Sequence, residues 1–139
     1  MNVVSKLIHI DSKGEKDMID LTEEAQRVVQ QSKLRTGVVT LFVRGSTGAL
    51  TTIEYEEGLL EDLPVALERI APKAASYQHE KRWHDGNGHS HVRASLIGPS
   101  ISIPFVEGRL TLGTWQQLVF IELDTRGRSR EIVAQVIGE

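Results

Sequence analysis

The last third of the chain is a succession of short strand-like runs, and this feature limits the possible folds more than any other. Runs rich in valine, isoleucine and leucine are separated by turn signals such as Gly98-Pro99, Glu107-Gly108 and Arg126-Gly127, a pattern typical of consecutive strands. The predicted strands cover residues 92–97, 100–106, 109–112, 117–123 and 131–137. So many apolar strands leave sheet faces that other elements must cover.

The first half of the chain mixes strands with helices. Val3–Ile10 and Val38–Val43 are predicted strands, and the second is so continuously apolar that both of its faces should be covered. Asp20, with Glu23 three residues later, resembles a capping box at the start of a helix. The apolar stripe of that helix, which should pack on a sheet, consists of Leu21, Ala25, Val28 and Val29.

A second helix is predicted after a strand at Ala49–Tyr55. Its apolar residues recur at helical spacing up to Ile70, and Pro64 is expected in its first turn because proline disrupts a helix interior. Lys73–Ser90 shows no periodicity and is predicted to be a long polar loop. The resulting fold class is α+β with two main helices, in one domain over residues 1–139.

Composition argues against several classes of protein. No apolar run approaches the ~18 residues of a membrane helix, and there is no cysteine for disulfides or thiolate metal sites. The net charge of −3 leaves no broad basic surface for nucleic acid, so Arg126, Arg128 and Arg130 are interpreted as a solvated hairpin turn. The strand-like start, Met1–Asp11, lacks a signal-peptide pattern, which predicts a cytoplasmic protein.

The strongest candidate for chemistry is the segment Asp85-Gly86-Asn87-Gly88-His89-Ser90-His91. In an extended chain its two histidine side chains would share a face, with Cα atoms about 6.5 Å apart, so both imidazoles could bind one metal ion. His79 lies in the same polar stretch, and Asp85 or Glu54 could complete the site. The alternative is a pair of polar residues at a strand entrance, hydrogen-bonded to the backbone.

Two further segments are candidates for substrate binding. Arg44-Gly45-Ser46-Thr47-Gly48 could cradle an anion with backbone N–H groups and hydroxyls; an ordinary tight corner is the alternative, since a P-loop's spacing and lysine are absent. Gly113-Thr114-Trp115-Gln116-Gln117 offers an indole to stack on a flat ring and amides to bind its edge, or else a strand bend with a half-buried Trp. Glu54 and Glu56 share a face and could supply a general base or be solvated.

Taken together, four segments resemble the YjbQ/UPF0047 family in order and spacing. They are Tyr77-x-His79, Asp85–His91, Ala94–Ser100 and Gly108–Gln117. The resemblance covers nearly the whole chain and implies an α+β fold with mixed β-sheets packed together, and a homotrimer with polar clefts between subunits. It also implies thiamine-phosphate synthase activity, which joins an aminopyrimidine pyrophosphate to a thiazole phosphate and releases pyrophosphate.

The chain departs from the pattern of that family at one corner. Where relatives carry His-Thr-Thr-Ala-Ala-Leu, this chain has Gly45-Ser46-Thr47-Gly48-Ala49-Leu50, and the asparagine expected before Glu54 is Ile53. The loss of an imidazole predicts weak binding of a divalent metal, because zinc usually takes at least three protein ligands. Gly45→His is accordingly predicted to tighten zinc binding.

Two functions of different class follow as hypotheses. The first is a transferase acting on a small phosphorylated metabolite, with His89, His91, Glu54 and Asp85 as catalytic residues. Substrate would be held by Ser46, Thr47, Asn87, Trp115 and Gln116, and a divalent metal, zinc or magnesium, by His79, His89 and His91. The second is a non-catalytic protein that binds a metal, a small anion or a metabolite. A metal-dependent hydrolase is left open, whereas no organic cofactor, nucleic acid or membrane is expected.

Overall fold

The computed structural model describes all residues from Met1 to Glu139. In chain order its elements are β1 (Asn2–Asp11), β2 (Met18–Asp20), α1 (Thr22–Ser32), β3 (Thr36–Val43), β4 (Gly48–Ile53), α2 (Glu57–Ile70), α3 (Gln78–Trp83), α4 (Gly88–Ile97), β5 (Ser100–Val106), β6 (Arg109–Leu110), β7 (Gln117–Glu122) and β8 (Ser129–Gly138). The predicted α+β class is confirmed. No helix is long and apolar enough to cross a membrane.

The strands form two sheets. Sheet A has five strands in the order β1-β8-β3-β5-β6, and sheet B has three in the order β2-β7-β4. Every strand pair in both sheets is antiparallel. The two terminal strands, β1 and β8, pair along ten residues each, from Asn2 opposite Gly138 to Asp11 opposite Ser129.

Sheet B is the middle of three layers. One of its faces, with Leu118 and Phe120, joins α1 and the inner face of sheet A in a core of 16 buried residues. Its other face, with Val119 and Ile121, packs against α2 and α4 in a second core of 7 buried residues. Strand β7 is buried from Leu118 to Glu122 because it lies between the two cores.

The two predicted helices form, with changes at their starts. The apolar stripe of α1 is buried as predicted, and Asp20 accepts a hydrogen bond from the Thr22 N–H at 2.9 Å, although Leu21 holds the N-cap position. Helix α2 starts earlier than expected because the Glu56 carboxylate caps it, which places Pro64 in the interior and not in the first turn. The helix continues beyond the proline because Leu67 is buried in the second core.

The stretch predicted as a loop and a strand is helical. Helix α3 lies within the predicted loop, and α4 covers the His-x-His pair together with residues 92–97. Neither helix carries an apolar stripe: α3 buries no residue, and the buried face of α4 consists of Gly88, His89, Ser90, Arg93 and Ala94. A face that is mostly polar gives no hydrophobic periodicity, so the sequence pattern could not reveal it.

Strand β3 is covered on one face only, contrary to the prediction. Val39, Leu41 and Val43 point into the larger core, whereas Phe42 is 45% exposed and Val38 also faces outward. Sheet A is the outermost layer, so nothing in the subunit covers its outer face.

Candidate functional site

Helix α4 separates the two histidines that were expected to converge. Residues two positions apart on a helix point about 200° apart, at 3.6 residues per turn. His89 therefore faces the interior and is 1% exposed, while His91 is half-buried at the helix surface. The prediction that both imidazoles share one cleft is wrong because the segment is helical, not extended.

His89 is held by a carboxylate on the connection between β1 and β2. Its Nε2 lies 2.6 Å from Oε1 of Glu15, and the other Glu15 oxygen lies 2.8 Å from Nζ of Lys73. Burial acts to raise the pKa of Glu15, but hydrogen bonds from Lys73 and His89 outweigh it, so the pKa lies below its ordinary value. The carboxylate is therefore ionised, and the pair attaches α4 to the β1–β2 connection.

His91 instead lies beside His79, and these two residues form the polar site with Asn87 and Asp85. The ring centroids of His79 and His91 are 4.5 Å apart. Nε2 of His79 lies 3.0 Å from the side-chain amide of Asn87 and 3.2 Å from Oδ1 of Asp85. The structure thus brings together four of the residues singled out from the sequence.

The Asn87 amide lies between His79 and Asp85 and fits them best in one orientation. With its nitrogen turned outward, the amide donates to Nε2 of His79 and to Oδ1 of Asp85, the latter at 2.8 Å. With its oxygen turned outward, the amide would face Nε2 of His79 and also the Asp85 carboxylate, which repels it, so the first orientation is favoured.

Below this site lies a buried carboxylate that the sequence did not suggest. Asp124 accepts hydrogen bonds from Thr47 Oγ1 at 3.1 Å and from Arg128 Nε at 2.6 Å, and the Asn87 amide lies 3.5 Å away. Burial acts to raise the pKa of Asp124, but the hydrogen bonds from the Thr125 N–H, Arg128 and Thr47 lower it to about 2. Asp124 thus connects the 45–47 corner to the site of His79.

Arg130 is the second residue missed from the sequence. The prediction of a solvated hairpin turn is wrong for it: Arg130 is buried, donates from Nε to Glu122 at 2.9 Å, and donates from Nη2 to Glu122 and to Thr47. The alternation of inward and outward residues along a strand could have revealed this, because Arg130 lies two residues before Ile132 and shares its inner face of β8. A charged residue at such a position requires a buried partner.

The corner at residues 45–47 forms one wall of a cleft beside α4. Gly45 has φ +126°, Ser46 is exposed and Thr47 is buried. The cleft has a volume of about 120 Å³ and is lined by Gly45, Ser46, Gly48, Ala94, Ser95 and Pro99. Ser95 lies one turn after His91 on α4 and donates to its carbonyl at 2.8 Å, so His91 lies at the same side of the helix.

Three predicted site residues lie at the opposite end of sheet B. Gly48 pairs with Glu122 at one end of the β4–β7 ladder and Ile53 pairs with Gln117 at the other, a separation of about 17 Å at 3.4 Å per residue. Glu54 comes directly after β4, and Trp115 and Gln116 come directly before β7, so all three lie at that far end, where they are exposed. Trp115 is 74% exposed, so it is neither half-buried nor near His91 within one subunit.

The residues present do not fit the predicted metal centre. No group of three His, Cys, Asp or Glu side chains converges anywhere in the chain. Of the predicted ligands, His89 is held by Glu15, and His79 is hydrogen-bonded to the Asn87 amide. Zinc sites usually need at least three protein ligands, and one subunit does not supply them.

Comparison with known proteins places the chain among relatives of similar length. The family model described as "UPF0047 protein YjbQ-like" matches residues 6–139. A UPF0047 protein from Methanothermobacter thermautotrophicus is 37% identical over 139 residues, which are 100% of this chain and 95% of the relative.

Solved structures agree with this match. A YbjQ-like protein of unknown function from Sulfolobus solfataricus superposes with a TM-score of 0.90 at 29% identity, covering 99% of this chain and 100% of the other. A YjbQ/UPF0047 family protein from Clostridium acetobutylicum gives a TM-score of 0.82 at 31% identity, covering 94% of this chain and 99% of the other. The chain therefore belongs to the YjbQ/UPF0047 family.

Proposed function

We propose that this protein binds a small phosphorylated metabolite in the cleft between the 45–47 corner and α4, and that it is a transferase of the thiamine-phosphate synthase type. The observation that carries the proposal is the polar site of His79, Asp85, Asn87 and His91, in which His91 lies one turn before Ser95 of the cleft on α4. Its imidazoles are partly accessible, and they are the groups best suited to move protons near neutral pH.

In the proposed reaction, a nitrogen of the thiazole phosphate attacks the methylene carbon of the aminopyrimidine pyrophosphate. The bond between that carbon and the pyrophosphate oxygen breaks, and the electron pair leaves with pyrophosphate. Protonated His91 would offset the charge that develops on the leaving oxygen, a form of electrostatic stabilisation. His79, whose Nε2 lies beside Asp85 and Asn87, would carry a second proton next to the one on His91. No step is assigned to a metal ion.

The test is pyrophosphate release from the two precursors. We expect turnover by the wild type and loss of most of it in His91→Ala, while His84→Asn leaves it unchanged because His84 is exposed at the left-handed C-cap of α3. Asparagine is among the residues that tolerate that conformation. Absence of pyrophosphate release by the folded wild type would overturn the transferase proposal.

A non-catalytic metabolite-binding protein is the second candidate. The observation in its favour is that the site has only two histidines, His79 and His91. Position 45 is a glycine, and His89 is buried away from the site. Calorimetry would separate the two candidates: heat of binding for the thiazole phosphate without turnover in the presence of both precursors would favour the binding protein.

We also propose a homotrimer in which neighbouring subunits cover the outer face of sheet A. Cross-strand register aligns two apolar rows on this face. One row consists of Val3, Ile137, Val38 and Pro104, and the other of Leu7, Val133 and Phe42. Exposed apolar side chains aligned on one sheet face favour an interaction surface, and a second copy of the chain is the partner that the family resemblance suggests.

A further inference from the structure

We infer that the corner formed by Gly45, Ser46 and Thr47 is an oxyanion site that takes the phosphate group of the ligand. The inference deepens the proposed function, on which the identity of the complete ligand rests. The backbone N–H groups of these three consecutive residues make no hydrogen bond within the chain. Successive free N–H groups in a tight corner form a concavity that favours anions.

A buried arginine aims an unused donor at the same corner. Arg130 is 7% exposed; its Nε and Nη2 donate to Glu122 and Thr47, but its Nη1 has no partner within the chain. A Cβ at position 45 would lie 3.0 Å from that Nη1. The free end of the guanidinium therefore lies against Gly45, a lining residue of the cleft that has no side chain to displace it.

The cleft supplies space and hydroxyl groups. Its volume of about 120 Å³ is well above the roughly 15 Å³ that one ordered water needs. Ser46 and Ser95 line it, while the Thr47 hydroxyl is already committed to Asp124 and Arg130. A tetrahedral oxyanion bound here could accept from the free N–H groups, with the Arg130 guanidinium behind Gly45 adding positive charge, and the remainder of the metabolite would extend along α4 toward His91.

The nearby formal charges balance, which determines how the anion would be recognised. Arg44, Arg128 and Arg130 pair with Glu131, Asp124 and Glu122, respectively. The net electrostatic attraction between this corner and an anion is therefore small. Binding should depend on directed hydrogen bonds more than on long-range electrostatic attraction. Phosphate and sulfate should bind, whereas chloride, which is spherical, should compete poorly.

The experiment is a titration of the ¹⁵N-labelled full chain with inorganic phosphate, against chloride at constant ionic strength. We expect the amide signals of Gly45, Ser46 and Thr47, together with the Arg130 guanidinium signals, to shift most. Ser46→Asp places a carboxylate in the corner and should weaken phosphate binding by about tenfold or more. Gln31→Asp, which adds the same charge on the exposed side of α1, should change it less than about twofold.

Phosphate-induced shifts centred elsewhere, or equal affinity in Ser46→Asp and Gln31→Asp, would overturn the site. If Ser46→Asp does not fold, the map of wild-type amide shifts decides alone. Thiazole phosphate and pyrophosphate are titrated in parallel, to distinguish a phosphomonoester from the released product as the natural occupant. Phosphate binding at the corner without pyrophosphate release would contradict the transferase and leave the site standing; turnover without shifts at residues 45–47 would overturn only the site.

Discussion

Nε2 of His89 lies 2.6 Å from Oε1 of Glu15, in a pair that is closed to solvent on the histidine side. The His-x-His segment is therefore not a pair of ligand-binding histidines, because His89 links α4 to the β1–β2 connection. Lys73 completes the link from the other side of the carboxylate. His91 is left as the member of the pair that a ligand can reach.

The two histidines should therefore respond differently to substitution. His89→Ala leaves a cavity and removes one of the two partners of the Glu15 carboxylate, which we expect to lower the free energy of unfolding by about 2–4 kcal/mol. His91→Ala should cost less than about 0.5 kcal/mol but remove most of the pyrophosphate release. Urea denaturation of both variants, with activity measured per folded molecule, checks this; comparable stability losses would contradict the assignment.

Asp124 should make the stability of the protein sensitive to acid. Its pKa is lowered from 3.8 to about 2 in the folded protein, so the ionised form stabilises the fold above the unfolded pKa, and this contribution disappears as pH falls from about 5 toward 2. A shift of this size corresponds to about 2 kcal/mol.

The matched comparison is wild type against Asp124→Asn, unfolded in urea at pH 7 and at pH 3. We expect wild type to be the more stable at pH 7, and the difference between the two proteins to shrink at pH 3. A difference that stays constant between the two pH values would show that Asp124 does not titrate with the predicted pKa.

Hydrophobic patterning was enough to predict most of the framework. The α1 stripe follows a spacing of 3.6 residues, β5 and β8 alternate with a spacing of 2, and β7 is a continuous apolar run, all of which the two cores then bury. Patterning failed for α4 because its buried face contains His89, Ser90 and Arg93, whose partners come from distant parts of the chain. A buried polar side chain is indistinguishable in sequence from an exposed one until its partner is known.

The candidate site was predictable as a set of residue types but not as a geometry. Asp85, Asn87 and His91 were found because polar residues cluster there, and His79 joins them through the turn between α3 and α4. Asp124 was not found, since it follows a buried strand with no motif around it. Trp115 was placed at the same site only because its segment is distinctive, and sheet B holds it at the far end.

The outer face of sheet A should control assembly. Phe42, 45% exposed, lies between Val133 on β8 and Ser100 on β5, and Phe42→Glu would place a charge at the end of the apolar row that also contains Leu7 and Val133. We expect wild type to scatter light as a trimer at micromolar concentration, and Phe42→Glu as a monomer. Val65→Glu on α2, in the layer opposite sheet A, is the control and should remain trimeric. A monomeric wild type would refute the trimer, and a trimeric Phe42→Glu would refute this interface.

Gly45→His is the variant for which the structure reverses the expectation from sequence. At φ +126° a side chain strains the backbone, by about 1–3 kcal/mol, and its Cβ would start 3.0 Å from the Arg130 guanidinium and not toward His91. We therefore expect a lower melting temperature and no gain in zinc affinity over wild type. Gly45→Ala is the control, because it carries the same backbone strain without an imidazole, and both variants should melt at similar temperatures.

Calorimetric zinc titrations and thermal melts of the three proteins decide between the two expectations. If Gly45→His bound zinc about tenfold more tightly than wild type, a gain equivalent to about 1.4 kcal/mol, and kept wild-type stability, position 45 would face the histidines and the expectation from sequence would hold.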